Sequence, residues 1–300
     1  MSSGAVAVRI DGRALRRAFD RASDSYDRVA SLQRQVRTEL LSRLQYFTLQ
    51  PQRIVDLGCG TAEGARWLQR RFPVAQVVAA DLSTSMLRAA RRHLPLWRRR
   101  FVRIGARAEQ LPLASGSVDL WFSSLMLQWC EDPLPVFAEA RRVLRPGGLL
   151  LLSSLGPETL RELRAAWGKA DDGPHVSEFA HPAQVTEALG VAGLHEAVLD
   201  VDLYTRHYDD AHALMRELQL LGARNAAATR ARGLTGKGRL RTMIATYESM
   251  RESGGLPASF EVIFASAFAA GARSSAAGAE FTVTPGEIRR AGPRLPGASK

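Results

Sequence analysis

Between residues 53 and 155, short unbroken apolar runs alternate with segments of helical periodicity. Arg53–Leu57, Gln76–Asp81, Phe101–Ile104, Val118–Ser123 and Gly148–Leu155 read as strands. Ala62–Phe72, Thr84–His93 with Ser83 as its cap, and Pro135–Leu144 read as helices, the last ended by Pro146-Gly147-Gly148. A strand that is apolar on both faces has to be covered on both, and helices returning between parallel strands supply that cover. The expected fold class is α/β, with a doubly wound, mostly parallel sheet.

Beyond Leu155 the pattern loosens. Glu158–Lys169 and Pro182–Ala192 read as helices around a Gly/Pro/His-rich loop, Asp171–Phe179. Ala197–Tyr204 alternates as a strand, and Phe260–Phe268 is a final strand candidate, bringing the sheet to seven. Residues 209–253 read as two helices around a basic, glycine-containing loop, Arg230–Arg241. Upstream, Leu32, Val36, Leu40, Leu41 and Leu44 are spaced along one helical face. The expected organisation has three parts. Residues 1–50 form an N-terminal helical segment able to act as a lid. Residues 51–268 form one domain with a helical insertion, 209–253, before the last strand. Residues 269–300 are an Ala/Gly/Pro-rich tail, partly disordered, in which only Glu280–Thr284 suggests order. No internal repeat is visible.

With 46% hydrophobic and 24% charged residues the chain is an ordinary globular one, which excludes wholesale disorder. No apolar run approaches the roughly 18 residues of a membrane span, and the N-terminus lacks the apolar core of a secretory signal. Two cysteines, Cys59 and Cys130, are too few for a disulfide framework or a zinc site, so they read as small apolar fillers. A cytoplasmic address without metal or membrane follows. The net charge is +11, yet only three of the 41 basic residues are lysines, an arginine bias that a GC-rich genome accounts for. Such a surface attracts an acidic partner at long range, and nucleic acid, anionic membrane and acidic carrier protein all qualify.

The chemistry concentrates in Val55-Asp56-Leu57-Gly58-Cys59-Gly60-Thr61-Ala62-Glu63-Gly64, where a strand runs through Gly-x-Gly into a helix. A ligand can approach bare backbone there. Asp81 ends the next strand, 21 residues beyond Gly60, where a carboxylate can accept hydrogen bonds from both hydroxyls of a ribose. A dinucleotide site wants a third glycine, which Gly64 misses by one position, and a pyrophosphate at the helix N-terminus. Asp56 and Glu63 surround this loop with negative charge, which opposes phosphates and suits a sulfonium and an ammonium group. The electrostatics favour S-adenosyl-L-methionine.

On these residues the chain resembles the class I S-adenosylmethionine-dependent methyltransferases, over residues 53–155. Motif I is Val55–Thr61. Ala108-Glu109-Gln110-Leu111-Pro112, Ser117-Val118-Asp119-Leu120 and Arg145-Pro146-Gly147-Gly148 are three further landmarks. One position departs from the pattern. Two before Glu109 the superfamily often carries an Asp that reads the adenine amino group, and here Arg107 stands. Either Glu109 takes that role or adenine is held by backbone and apolar contacts.

Words outside the common core narrow the resemblance. Phe19–Asp27 with Gln33, Ser124–Cys130, Leu155–Leu160, Gly173-Pro174-His175 with Phe179, Met215–Leu218, Leu221–Asn225 and Leu234-Thr235-Gly236 are similar to malonyl-acyl-carrier-protein O-methyltransferases of biotin synthesis. This likeness spans about residues 15–268. It implies methyl transfer from S-adenosyl-L-methionine to the free carboxylate of malonyl-acyl carrier protein, an acidic and transient partner, with S-adenosyl-L-homocysteine as product. It places cofactor contacts at Asp56, Gly58, Gly60, Asp81, Leu82, Ala108, Glu109 and Ser124. Acceptor contacts fall at Gln128, His175 and Arg216, Tyr26 is the catalytic residue closing over the site, and Trp129 reads as packing. The alternatives are a class I methyltransferase with an RNA or small-molecule acceptor, or a non-catalytic assembly factor of the same fold. Against RNA, the chain carries no appended nucleic-acid module and no Asn-Pro-Pro-Tyr type of motif.

Overall fold

The computed structural model describes residues 11–92, 101–223 and 236–270. The N-terminal segment is helical: α1 (Gly12–Ala22), α2 (Tyr26–Val29) and α3 (Ser31–Ser42). Asp11 caps α1 by accepting hydrogen bonds from the Arg13 and Ala14 N–H groups. Four of the five leucines and valines spaced along one face lie in α3 and are buried there, with Leu44 just beyond it.

The alternation then unfolds in order: β1 (Arg53–Leu57), α4 (Glu63–Arg71), β2 (Gln76–Asp81), α5 (Thr84–Arg92), β3 (Phe101–Gly105), β4 (Val118–Ser124), α6 (Pro133–Val143) and β5 (Leu144–Leu155). The second half adds α7 (Arg161–Gly168), α8 (Pro182–Val191), β6 (Leu194–Tyr208), α9 (Ala211–Leu220), α10 (Lys237–Glu248) and β7 (Leu256–Ala269). The seven strands form one sheet in the order β3-β2-β1-β4-β5-β7-β6. Its first five members are parallel, and β7 runs antiparallel to both neighbours. Alternate strand residues divide between two cores. Ile54, Val77, Leu120, Phe122 and Leu149 join the α3/α4 side, whereas Val55, Leu57, Trp121 and Leu150 join the α6/α8 side.

Several elements differ from the sequence reading: α10 already begins at Lys237, inside the segment read as the loop Arg230–Arg241, and α7 begins at Arg161 rather than Glu158. β5 starts at Leu144 rather than Gly148, because Leu144 already pairs with Val118 before the register breaks between Val118 and Leu120. Arg145-Pro146-Gly147-Gly148 is thus an irregular strand entry, not a separate turn. β6 and β7 outrun their apolar stretches, since Thr205, Arg206 and His207 still pair with Ser259, Ala258 and Pro257. Antiparallel pairing needs only backbone groups, and a half-exposed strand tolerates polar residues. Asp119 sits at the opposite end of the sheet from the glycine loop. It accepts hydrogen bonds from the Gln52 and Arg53 N–H groups, both at 2.7 Å, and pairs with Arg145 at 2.6 Å. Its landmark motif is therefore structural here. Arg230, Arg232 and Glu280–Thr284 lie outside the described residues.

Register brings the site together. Leu57 pairs with Ala80 on one side and Ser123 on the other. Gly58, Asp81 and Ser124 consequently leave the sheet side by side at its carboxyl edge, where β1 and β4 diverge in connection and a crevice opens.

Candidate active site

Leu57 runs into a loop whose Gly58 and Gly60 have φ of 67° and 53°. The Gly58 and Cys59 N–H groups both donate to the Ala80 carbonyl, at 2.8 and 3.0 Å, which holds the loop against the end of β2. Asp81 ties the loop to the next turn, because its carboxylate accepts from the Gly60 N–H at 2.8 Å and the Ser83 N–H at 2.7 Å. Burial nonetheless raises the Asp81 carboxyl to about 6, the two backbone donors opposing it and Asp20 adding to the rise.

Packing demands a glycine at position 58 and leaves little room for a side chain at position 64. A Cβ on Gly58 would meet the Met126 Cγ at 2.4 Å, in a left-handed backbone that already disfavours a side chain. A Cβ on Gly64 would meet an Asp56 carboxylate oxygen at 2.9 Å. Gly64 thus admits a buried acid beneath the loop instead of serving a pyrophosphate. Asp56 is 3% exposed and its Oδ2 has no hydrogen-bond partner. Desolvation pushes this carboxyl up to about 7, with Arg37 and the Ala65 N–H pulling the other way.

Over the loop lies a cavity of about 320 Å³. Tyr26, Gly58, Gly60, Asp81, Leu82, Ala108, Glu109 and Ser124 all line it, while Asp56 stays below the wall. Helix α1 covers one side with Gly12, Leu15 and Phe19, a contribution that amphipathicity alone did not assign to the site. The wall is acidic: Asp81, Glu109, Glu131 and Asp132 stand against Arg107, whose Nη2 is 3.2 Å from Glu109. Arg107 thus occupies the departing position and pairs with the very carboxylate considered as its substitute.

A second cavity, of about 110 Å³, shares Phe19, Tyr26, Leu125 and Trp129 with the first. Leu125 is left-handed (φ 52°) and donates its N–H to the Ser153 carbonyl at 2.9 Å, so the chain turns sharply on leaving β4. Ser124 lines the larger cavity and Gln128 the smaller. Phe19 and Trp129 meet edge to face at 5.2 Å, making Trp129 both packing and wall. Tyr26 stands over Gly60, and burial pushes its phenol up to about 12. It is a neutral hydrogen-bond donor near pH 7, not a base. His175 lines the smaller cavity, stacked on Trp167 at 3.7 Å, with its Nε2 2.6 Å from Asp171.

Arg216 does not join them. It is exposed on α9 and lines neither cavity, whereas its neighbours Glu217 and Leu218 line the smaller one. Successive helical residues are about 100° apart, so a motif word on a helix can point in while one of its letters points out. Burial raises both cysteine thiols, Cys130 to about 12, which keeps them protonated and poorly nucleophilic.

The N-terminal segment is fastened over this arrangement by polar contacts. Asp20 accepts from the Ser83 hydroxyl at 2.6 Å and the Ser85 N–H at 3.2 Å, Thr61 donates to Asp27 at 2.7 Å, and Arg37 pairs with Glu63.

Comparison with known proteins places this geometry. A family of methyltransferase domains matches residues 55–152. Malonyl-acyl-carrier-protein O-methyltransferase of Gallionella capsiferriformans is 38% identical, covering 93% of this chain and 98% of that protein. Its counterparts in Laribacter hongkongensis and Xylella fastidiosa are 44% and 46% identical, covering 88% and 85% of this chain and 91% and 87% of theirs. This chain belongs to that family. Among solved structures, the YcgJ protein of Bacillus subtilis superposes with a TM-score of 0.55 at 15% identity, over 78% of this chain and 99% of that one. A Bacillus halodurans protein superposes with 0.56 at 19%, over the same shares. At such identities these likenesses concern the fold. Among the described residues, no helix of this family member is long and apolar enough to cross a membrane.

Proposed function

We propose that the larger cavity holds S-adenosyl-L-methionine and the smaller one the malonyl end of malonyl-acyl carrier protein, and that a methyl group passes between them to the free carboxylate. The observation that carries this reading is the shared wall: Phe19, Tyr26, Leu125 and Trp129 border both cavities, so two ligands can meet there. The chain's residues fit the cofactor. Bare backbone at Gly58 and Gly60 permits close approach, Asp81 is at hand for a ribose, and the unpartnered Asp56 oxygen lies under the loop for an ammonium group, directly or through water. An acidic wall attracts a sulfonium and would repel a pyrophosphate. Leu82, Ala108 and Glu109 fall on the adenine side and Ser124 beside the methionine portion.

When bound, the cofactor supplies a methyl group on a positively charged sulfur. The acceptor carboxylate is already ionised at neutral pH, so the protein needs no base. With S-adenosyl-L-methionine held by Gly58, Gly60 and Asp81, its methyl group would pass to a carboxylate oxygen and the electron pair of the carbon–sulfur bond would remain on sulfur. Charge is annihilated along this path, so surroundings that withhold water from the carboxylate favour the transition state. Leu125, Trp129, Leu155, Leu160, Leu163 and Phe260 provide those surroundings. Tyr26 closes the wall, Gln128 and His175 line the cavity that takes the carrier-bound malonyl thioester, and orientation supplies the remainder. The product is a malonyl methyl ester thioester with S-adenosyl-L-homocysteine released. Such an ester has its terminal charge masked, which suits the start of pimeloyl synthesis for biotin.

The acidic carrier docks beside the smaller cavity. Lys237, Arg239 and Arg241 are exposed on α10, and Arg239 lies 3.6 Å from Asp171, the partner of His175. Lys237 and Arg241, four residues apart, share one helical face. Incubation with methyl-labelled S-adenosylmethionine tests the function. Malonyl-carrier protein should gain a base-labile label, and acetyl-carrier protein, lacking the free carboxylate, should gain none. Equal labelling of both would refute the carboxylate as acceptor.

A further inference from the structure

Gln33 from α3 and Gln128 from the turn after β4 both line the smaller cavity. Each retains a side-chain carbonyl oxygen that is buried and without a hydrogen-bond partner. Native structures leave few such groups, because a buried acceptor that has lost water and gained nothing costs stability, and two on one small cavity ask for a reason. For Gln128 the orientation is set: its Nε2 donates to the Leu125 carbonyl at 2.8 Å, which leaves Oε1 as the unused function. An amide carbonyl is repelled by a carboxylate and complements an N–H donor. Gln128 is therefore mismatched to the malonyl carboxylate, and the unpartnered Gln33 oxygen beside the same cavity adds a second acceptor.

The thioester arm supplies what fits. Beyond the sulfur of a carrier-bound thioester come two methylenes and then a secondary amide, whose N–H is a donor that survives at any physiological pH. Leu32, Leu155 and Phe260 on the same wall suit the methylenes. We infer that Gln33 and Gln128 form an amide-reading pair that accepts the first N–H of the thioester arm. The enzyme then selects the arm as well as the malonyl group, a deepening that rests on the function proposed above.

The test exchanges one group. A malonyl thioester of N-acetylcysteamine carries the amide, and the 2-acetoxyethyl thioester replaces only its N–H with oxygen. Calorimetry on the protein loaded with S-adenosylhomocysteine should show at least a roughly tenfold preference for the amide compound. Gln128→Leu and Gln33→Leu should each reduce that preference toward unity, and S-adenosylhomocysteine affinity should be unchanged, which shows the site is still folded. Equal affinities in the wild type, no binding of either compound, or a preference that persists in both variants would overturn the inference. Methyl transfer to malonyl-carrier protein is measured in parallel. If the amide preference holds but no transfer occurs, the pair stands as an amide reader and the proposed reaction is the part that fails.

Discussion

A carboxyl group buried beneath a glycine loop should reveal itself in the pH dependence of folding. Asp56 is 3% exposed, and desolvation lifts it from the usual 3.8 to about 7. Above pH 7 the folded protein therefore holds an anion that the unfolded chain would hydrate. Three pH units at ~1.36 kcal/mol each put that cost at about 4 kcal/mol. The sign follows from proton uptake. Between about pH 4 and 7 the folded state binds the proton and the unfolded state does not, so this group's contribution to stability rises as pH falls. Asp56→Asn removes the titration while keeping an oxygen for the Ala65 N–H. Urea unfolding of wild type and variant, from pH 8 to 5, gives the difference in stability directly. The variant's advantage should shrink by about 2–3 kcal/mol over that range, chiefly below pH 7. Groups that do not interact with Asp56 cancel in the difference, and the neighbouring Asp81, which raises Asp56 further, is controlled by repeating the comparison in an Asp81→Asn background. A difference that stays flat would show that Asp56 is hydrated or paired in solution, and the desolvation argument would be wrong.

Three further outcomes follow from the site. Asp81→Asn should weaken S-adenosylhomocysteine binding about 10- to 100-fold by calorimetry, the worth of one charge-assisted hydrogen bond, and unchanged affinity would refute the ribose contact. Gly58→Ala should destabilise by more than the ~1–2 kcal/mol of left-handed strain, because of the Met126 contact, and the added cost should fall in a Met126→Ala background when measured as a double-mutant cycle. Reversing Lys237 and Arg241 to glutamate should raise KM for malonyl-carrier protein several-fold at low salt, with the effect fading as ionic strength rises. Equal loss on a carrier-free malonyl thioester would instead place those residues in the pocket or the fold.

Much of this protein was legible locally. Five parallel strands, the glycine loop and Asp81 could be read from residues 53–155 because period, glycine and turn chemistry are properties of short windows. The acidic character of the loop likewise needed only Asp56 and Glu63. Other features had no local signal. Nothing in Phe260–Phe268 says that β7 slides between β5 and β6, because strand order is a matter of long-range pairing. Helix periodicity could not say that Arg216 faces solvent while Glu217 and Leu218 line the cavity, since that depends on how α9 is rotated against its neighbours. Lys237, Arg239 and Arg241 form one cluster in sequence but divide on α10, where Arg239 reaches Asp171. Gly64 was legible as a near miss for a third glycine, yet its purpose emerged only when Asp56 was found against it. Fold class, the loop and the kind of ligand the loop favours follow from backbone conformation and charge within a few residues, and so were readable locally. The shared wall, the buried carboxyl and the two unpartnered glutamines were decided only in three dimensions, because burial and hydrogen-bond satisfaction depend on residues brought together from distant parts of the chain.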